Sequence, residues 1–374
     1  MEQKEFIGAG SIKNVKKILE ENSAKKVLLV TGKKSFITSG AQNKLDEILK
    51  GIHTEQFDQF EVNPKLESVY AGIEILNNTK FNLVIAVGGG SAIDMAKLIN
   101  ILAVQKNTIL LDYINDSKLI EGCGLPLVAI PTTSGTGSEA THFSVVYVDK
   151  IKHSLAYHFM LPNYAVVDTE LSYNLPAHIA AAGAMDALSQ AVESYWAVKS
   201  TEKSKKYAAE AIKLILSVIE DAVSGNKRAR EVMSKAAHLA GKAINISTTT
   251  APHAISYPIT TYYGLQHGHA VALTLGYFFE INYNFKDDDI VDRRGVDYLK
   301  NIMEDIYIMF QVKTANECKK KWFSLMSTIG LDIEIKDIVM SAEEINRIVR
   351  SVNMKRLANN PVRICEEQIR KIFE

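Results

Sequence analysis

Little in this chain points to a special environment. Its 374 residues hold only three cysteines, Cys123, Cys318 and Cys365. They are too few and too scattered for a disulfide framework or a cysteine-built metal site, and they imply a reducing compartment, the cytoplasm. Net charge is also missing: 43 Lys plus Arg balance 43 Asp plus Glu. Without a basic field, no nucleic-acid or other polyanion partner is expected. No apolar run is long enough to span a membrane, and the charged start Met1-Glu-Gln-Lys-Glu lacks the apolar centre of a signal peptide, so neither anchoring nor export is expected. There is no internal repeat and no low-complexity segment. Two common phosphate-binding patterns are absent as well. Ile93 stands where a dinucleotide fingerprint needs its last glycine, and no Gly-Lys-Ser/Thr run closes a P-loop.

What is present is a globular composition, 47% hydrophobic and 23% charged, in a length that suggests two domains. Strand-like runs over 26–31, 81–87, 125–131 and 164–168 alternate with helical stretches over 11–21 and 68–77, which predicts a parallel sheet covered by helices. Beyond Pro176 the strand signals stop, and helical patterns follow over 179–198, 201–224 and 231–244. The expected fold is therefore an α/β Rossmann-like parallel-sheet domain over 1–178 and an all-α helical domain over 179–374. The acidic run 285–289 reads as a solvated turn.

The first motif follows the strand ending at Val87. Gly88, Gly89 and Gly90 let backbone approach an anion, and Ser91 reads as the N-cap of the next helix with Asp94 completing a capping box. A plain tight turn is the competing reading. A second strand leads into Pro131-Thr-Thr-Ser-Gly-Thr-Gly-Ser-Glu139, and two polar cradles after two strands suggest one extended polar ligand. In the helical half, Asp186 and Gln190 lie one turn apart on one face. His253 and His267 flank a segment that Pro258 and Gly264 should bend, which brings the imidazoles together. These four side chains offer oxygen and nitrogen donors to a divalent ion, although such a set also arises by chance.

These residues, taken in order, resemble the iron-containing (group III) alcohol dehydrogenases: Gly88-Gly-Gly-Ser-Ala-Ile-Asp94, Pro131 to Glu139, Met185-Asp-Ala-Leu188 and His267-Gly268. Asn63-Pro64, Leu161 to Asp168 and Asn360-Pro-Val-Arg363 extend the likeness over essentially the whole length. The resemblance implies hydride exchange between a nicotinamide and a small-molecule aldehyde or alcohol, in a homodimer or larger homo-oligomer. It assigns Gly88, Gly89, Gly90, Ser91, Asn63, Thr132, Thr133, Ser134 and Thr136 to the cofactor, with Asp94 near its nicotinamide half. It assigns Asp186, His253 and His267 to a metal, Fe2+ or Zn2+, and places Lys152 near the active site.

Three positions depart from the family pattern. Gln190 replaces a histidine ligand, and a neutral amide is the weaker donor. Tyr257 stands where many members carry a histidine that relays the proton, with His269 a second candidate. Gly32, followed by Lys33, Lys34 and Ser35, replaces the acidic residue of NAD-preferring members, so NADP(H) is expected over NAD(H). Segments 189–201 and 241–258 look most like the phosphonoacetaldehyde reductase branch, which makes 2-hydroxyethylphosphonate. Lys242, Thr248 and Thr249 would then bind the phosphonate. A general short-chain alcohol dehydrogenase, a dehydroquinate-synthase-like lyase and a silent nucleotide-binding protein are the alternatives.

Overall fold

The computed structural model describes residues 2–149, 151–335, 341–352 and 354–373. The chain divides into two units, Met1–Leu175 and Pro176–Glu374.

Among the described residues, the first unit holds eight strands: β1 (Lys4–Ile7), β2 (Lys26–Thr31), β3 (His53–Phe57), β4 (Leu83–Gly88), β5 (Leu127–Pro131), β6 (Phe143–Val148), β7 (Ile151–Ala156) and β8 (Tyr164–Val167). Six of them form one parallel sheet in the order β1-β8-β5-β4-β2-β3. Its helices are α1 (Asn14–Glu21), α2 (Lys33–Thr38), α3 (Ala41–Ile48), α4 (Leu66–Asn78), α5 (Gly90–Leu102) and α6 (Leu110–Asn115). Alternate residues of one strand serve opposite faces. Val27 and Leu29 pack with Val15, Ile18 and Leu45, whereas Leu28 and Val30 pack with Val69, Ile93 and Leu98. Burial on both faces is why these strands read as unbroken apolar runs.

Two features went unread in the sequence. Strand β3, His53-Thr-Glu-Gln-Phe57, lies at the sheet edge and is mostly polar. The pair β6 and β7 forms a separate antiparallel sheet, outside the alternating pattern. The stretch expected as one helix over 11–21 begins as a 3-10 turn, Ser11–Lys13, before α1.

Ser91 requires a correction. Helix α5 starts at Gly90 with Gly89 as N-cap and no side-chain cap. Ser91 Oγ instead accepts from the Asn63 backbone N–H at 3.2 Å. Asp94 accepts from Ser138 Oγ at 2.5 Å and from Val145 N–H at 3.0 Å. Asp94 is thus drawn across to the loop after β5 and to β6, where it satisfies donors that lie outside its own helix.

The second unit is helical: α7 (Ala177–Trp196), α8 (Glu202–Ser224), α9 (Lys227–Ser247), α10 (Ala251–Tyr263), α11 (His267–Ile281), α12 (Val296–Met309), α13 (Ala315–Thr328), α14 (Ala342–Ser351), α15 (Met354–Leu357) and α16 (Glu366–Arg370). Alanines along α7 and α9 let neighbouring helices approach, and Trp196, Phe279, Phe310 and Trp322 fill the core in edge-on contacts. Thr201 closes the start of α8 with a capping box to Ser204. Pro258 sits inside α10 without breaking it, contrary to the expected bend there. The chain turns at Gly264, whose φ is 70°. No helix among the described residues is long and apolar enough to cross a membrane.

Candidate active site

The order of strands locates a candidate ligand crevice in the first unit. From β2 the chain connects outward to β3, and from β4 it connects the other way to β5, so the direction of winding reverses between β2 and β4. In an open parallel sheet, the carboxyl ends of two such strands border a crevice where ligands bind. Gly32 follows β2 and Gly88 to Gly90 end β4. The register pairs Thr31 with Val87 and Gly88 with Pro131, so the ends of β2, β4 and β5 stand level. Gly88 has φ 154°, and a Cβ there would lie 2.7 Å from Ala92 Cβ and 3.2 Å from Gly32 N. No other residue fits.

The second loop completes this cradle. Thr132 N–H donates to the Gly88 carbonyl at 2.9 Å, and Thr133 and Thr136 line Gly89 and Gly90. Thr132 Oγ is buried with no hydrogen-bond partner among the described residues, a polar group that a bound dinucleotide would satisfy. Ser134 is buried beside it. Behind the cradle, the Lys97 ammonium donates to the carbonyls of Ser138 at 2.6 Å, Thr141 at 2.8 Å and Phe143 at 2.9 Å. Burial pushes the Lys97 pKa down to about 8, against the pull of Asp94 and Glu139. Burial likewise raises Asp94, opposed by Lys97, Ser138, Val145 and Lys152. Lys152 lies on β7 opposite Tyr147.

A candidate metal cluster is assembled within the second unit. Asp186, His253 and His267 bring one donor atom each to within 4.8 Å of one another. Helix α7 supplies Asp186, α10 supplies His253 and the first residue of α11 supplies His267. Gly268 makes the last placement possible, because a Cβ there would fall 1.9 Å from the Ala182 carbonyl oxygen and 2.7 Å from Asp186 Cβ. The two imidazoles meet edge to face at 5.3 Å. Gln190, one turn beyond Asp186, donates through Nε2 to Asp186 Oδ1 at 3.1 Å.

Glu193, which the sequence reading missed, orients His253. Its Oε1 meets His253 Nδ1 in a very short contact. Its Oε2 accepts from Thr250 N–H at 2.5 Å and Thr250 Oγ at 2.8 Å. This places Asp186 at 3.4 Å from the other ring nitrogen, Nε2. A carboxylate behind a ligating imidazole fixes its tautomer and makes it a better donor. The signal was available: Asp186, Gln190 and Glu193 follow i, i+4, i+7 spacing on a helix otherwise rich in alanine.

The electrostatics agree with a cation site. Burial favours neutral His253, but the charge of Glu193 and the hydrogen bonds of Asp186 and Glu193 outweigh it and raise its pKa to about 10. Burial would raise the Asp186 carboxyl, yet His253, His267 and Gln190 hold it below the usual range. Two buried carboxylates therefore demand positive charge. A divalent ion, displacing the His253 proton, satisfies that demand with two imidazoles and a carboxylate, a donor set suited to Fe2+ or Zn2+ with a position left open.

Tyr257 stacks on His267 with ring centroids 5.7 Å apart, and its hydroxyl accepts from Arg356 Nη1 at 3.0 Å. The other expected residues are engaged differently. His269 Nε2 meets the Asp332 carbonyl at 2.8 Å on the exposed side. Lys242 Nζ lies over the Tyr207 ring at 4.8 Å. Thr248, at φ 57°, and Thr249 belong to a turn that Asn359 Nδ2 ties through Thr248 Oγ and the Thr249 carbonyl.

Sequence comparison agrees with this geometry. Residues 3–169 match the family model described as iron-containing alcohol dehydrogenase, and residues 180–374 match that of the Fe-containing alcohol dehydrogenase family, C-terminal. The chain is 29% identical over 376 residues to long-chain-alcohol dehydrogenase 1 of Geobacillus thermodenitrificans, covering 98% of this chain and 93% of the relative. It is 28% identical to the NADPH-dependent butanol dehydrogenase of Clostridium saccharobutylicum, covering 99% and 95%. The crystal structure of sulfoacetaldehyde reductase from Bifidobacterium kashiwanohense in complex with NAD+ superposes with a TM-score of 0.87 at 31% identity, covering 99% of this chain and 96% of that one. Dinucleotide cradle, metal trio and both halves of the sequence thus agree, and the chain belongs to the iron-containing alcohol dehydrogenase family, NAD(P)-dependent oxidoreductases of alcohols and aldehydes.

Proposed function

We propose that this enzyme reduces a two-carbon aldehyde ending in a tetrahedral oxyanion, phosphonoacetaldehyde first, to the primary alcohol, with NADP(H) preferred over NAD(H). The observation that carries the reaction type is the convergence of buried Asp186 and His253 with half-buried His267. Two likenesses support the substrate class: the segments 189–201 and 241–258, which resemble the phosphonoacetaldehyde reductase branch, and the related reductase that acts on sulfoacetaldehyde.

When bound, the metal supplies Lewis acidity to the carbonyl and the nicotinamide supplies hydride. The chain does the rest. Gly32 and Gly88 to Gly90 admit the dinucleotide backbone, with Ser91, Asn63, Thr132, Thr133, Ser134 and Thr136 supplying polar contacts and Asp94 and Lys152 standing toward the nicotinamide half. Exposed Lys33 and Lys34 follow Gly32 and suit a 2′-phosphate. Asp186, His253 and His267 would hold the metal, and Glu193 keeps the His253 ring in register. Gln190 steadies the Asp186 carboxylate. Tyr257, stacked on His267, is the proposed proton donor to the nascent alcohol oxygen.

The test is steady-state kinetics of the Fe2+- or Zn2+-loaded protein with phosphonoacetaldehyde, sulfoacetaldehyde and propanal, each with NADPH and with NADH. We expect kcat/KM to favour the oxyanion aldehydes at least 10-fold over propanal, and NADPH over NADH, an advantage of roughly 1.4 kcal/mol or more. Equal rates for all three aldehydes would leave a general alcohol dehydrogenase. Turnover unchanged in Tyr257→Phe would remove the proton-donor role.

A further inference from the structure

The geometry points to Arg356 as the residue that recognises the substrate's oxyanion and sets specificity for it. This inference rests on the substrate class proposed above and deepens it. No sequence motif singled out Arg356, which lies on the short helix α15, far along the chain from the metal residues. The fold nevertheless brings it to the same site within the second unit. His267, Tyr257 and Arg356 form a row of contacts: the Tyr257 ring stacks on the imidazole of His267, and the guanidinium lies over that ring beside its hydroxyl. Its carbon stands 5.0 Å from the ring centroid, and Nη1 donates to the phenol oxygen at 3.0 Å.

Three observations make this an anion receptor rather than a structural tie. First, Arg230, Arg294 and Arg370 of this unit are tied to carbonyl, amide or carboxylate groups, whereas Arg347, like Arg356, lies over a tyrosine ring. Arg294 is clamped by Asp292 and by carbonyls of Ala197, Val198 and Ser200, and Arg370 donates to Asn346 Oδ1. Arg356 has no ion-pair partner among the described residues; its contacts are the Tyr257 hydroxyl and ring alone. Second, it is half-buried, so a guanidinium with five donors is partly withdrawn from water while only one donor is used. Third, the row runs outward from the metal trio. Asp186, His253 and Gln190 are buried, whereas His267, Tyr257 and Arg356 are partly open, which is the side from which a small substrate reaches the metal donors.

A planar guanidinium pairs two parallel N–H groups with two oxygens of a phosphonate, sulfonate or carboxylate. A two-carbon aldehyde of this kind spans from a carbonyl at the metal trio, across the Tyr257 face, to the free donors of Arg356. Propanal presents a methyl group there and leaves those donors unsatisfied. Selectivity then comes from a charge-assisted contact present for one substrate class and missing for the other.

The experiment compares wild type, Arg356→Met and Arg356→Lys by kcat/KM on phosphonoacetaldehyde, sulfoacetaldehyde and propanal. It is paired with calorimetric binding of the product 2-hydroxyethylphosphonate to each protein. Circular dichroism establishes that each variant is folded. The ratio of kcat/KM for oxyanion aldehyde to that for propanal should fall about 100-fold in Arg356→Met, mostly through KM, and about 10-fold in Arg356→Lys, which keeps charge but loses the fork. Product binding should weaken in the same order. A role limited to positioning Tyr257 would lower both substrate classes alike and leave the ratio intact, which overturns the proposal. If wild type itself shows no preference for the oxyanion aldehydes, the substrate reading falls and this inference with it. If wild type shows the preference and Arg356→Met keeps it, only the role of Arg356 falls.

Discussion

The two halves of this enzyme build their sites from different materials. In the first unit the cradle is mostly backbone: strand ends, close-set glycines and the N–H groups between them. In the second unit the site is made of side chains, Asp186, Gln190, Glu193, His253, Tyr257, His267 and Arg356, drawn from α7, α10, α11 and α15. A backbone site is written locally, because a strand followed by glycines produces it wherever it occurs. A side-chain site depends on which helices meet, and that is decided by packing. Damage should therefore travel differently in the two halves.

The sharpest test is Gly268→Ala. The added methyl is aimed at the Ala182 carbonyl and at Asp186 Cβ, so α11 must move off α7 and carry His267 with it. Overpacking of this kind costs about 1–3 kcal/mol. Bound metal measured by elemental analysis should drop to a small fraction of wild type, and turnover should fall with it, while NADPH binding to the other unit persists. Full metal content in a folded variant would show that the helix contact does not set the ligand geometry.

Next in size is Glu193→Gln. The carboxylate accepts from Thr250 on one oxygen and meets His253 Nδ1 with the other. An amide has one acceptor and would point its NH2 at a donor, so either His253 or the start of α10 loses its anchor. Loss of such a partner behind a ligand typically weakens metal binding about 10–100-fold. Competition with a chromophoric chelator measures it, and an unchanged affinity would reduce Glu193 to a support for Thr250.

This division also explains what the sequence disclosed. The parallel sheet, the helical half, the glycine turn after β4 and the convergence of Asp186, His253 and His267 were legible because each rests on a local pattern or a motif. Ser91 was misread because a serine ahead of a helix looks like a cap, whereas the fold gives it the Asn63 N–H and sends Asp94 to Ser138 and Val145. Glu193 was visible as spacing but not as function, since only packing shows that it stands behind His253. Arg356 left no local trace. Its neighbour Tyr257 is 99 positions away in the chain, and no periodicity records such a contact.

A smaller effect probes a polar side chain left over at the backbone cradle. Thr132 Oγ lacks a partner among the described residues, so Thr132→Val keeps its shape and removes only the hydroxyl. If that hydroxyl meets the dinucleotide, losing one neutral hydrogen bond of about 1 kcal/mol should raise the NADPH dissociation constant roughly 5-fold. The melting temperature of the unliganded protein should hold or rise. A variant that melts lower with unchanged NADPH affinity would mean that Thr132 serves the fold alone.

The last test asks how far the first unit relies on backbone. Lys97 is a buried cation behind the cradle, held by three carbonyls, and its folded pKa of about 8 lies below the unfolded value of 10.5. Below pH 8 both states keep the proton, and the cost of burying it is fully present. Between about pH 8 and 10.5 the folded protein releases the proton before the unfolded chain does, so this group contributes stability that grows with pH, by at most about 1.4 kcal/mol per unit. Lys97→Met abolishes that dependence while also losing the ammonium's hydrogen bonds. Denaturant titrations at pH 7.5 and 9.5 should therefore show the stability of wild type over Lys97→Met widening at the higher pH. A constant gap would mean that the carbonyl cage and the nearby Asp94 hold Lys97 charged across that range. The backbone cradle would then stand on a buried ion network, and the contrast between the two halves would be one of degree.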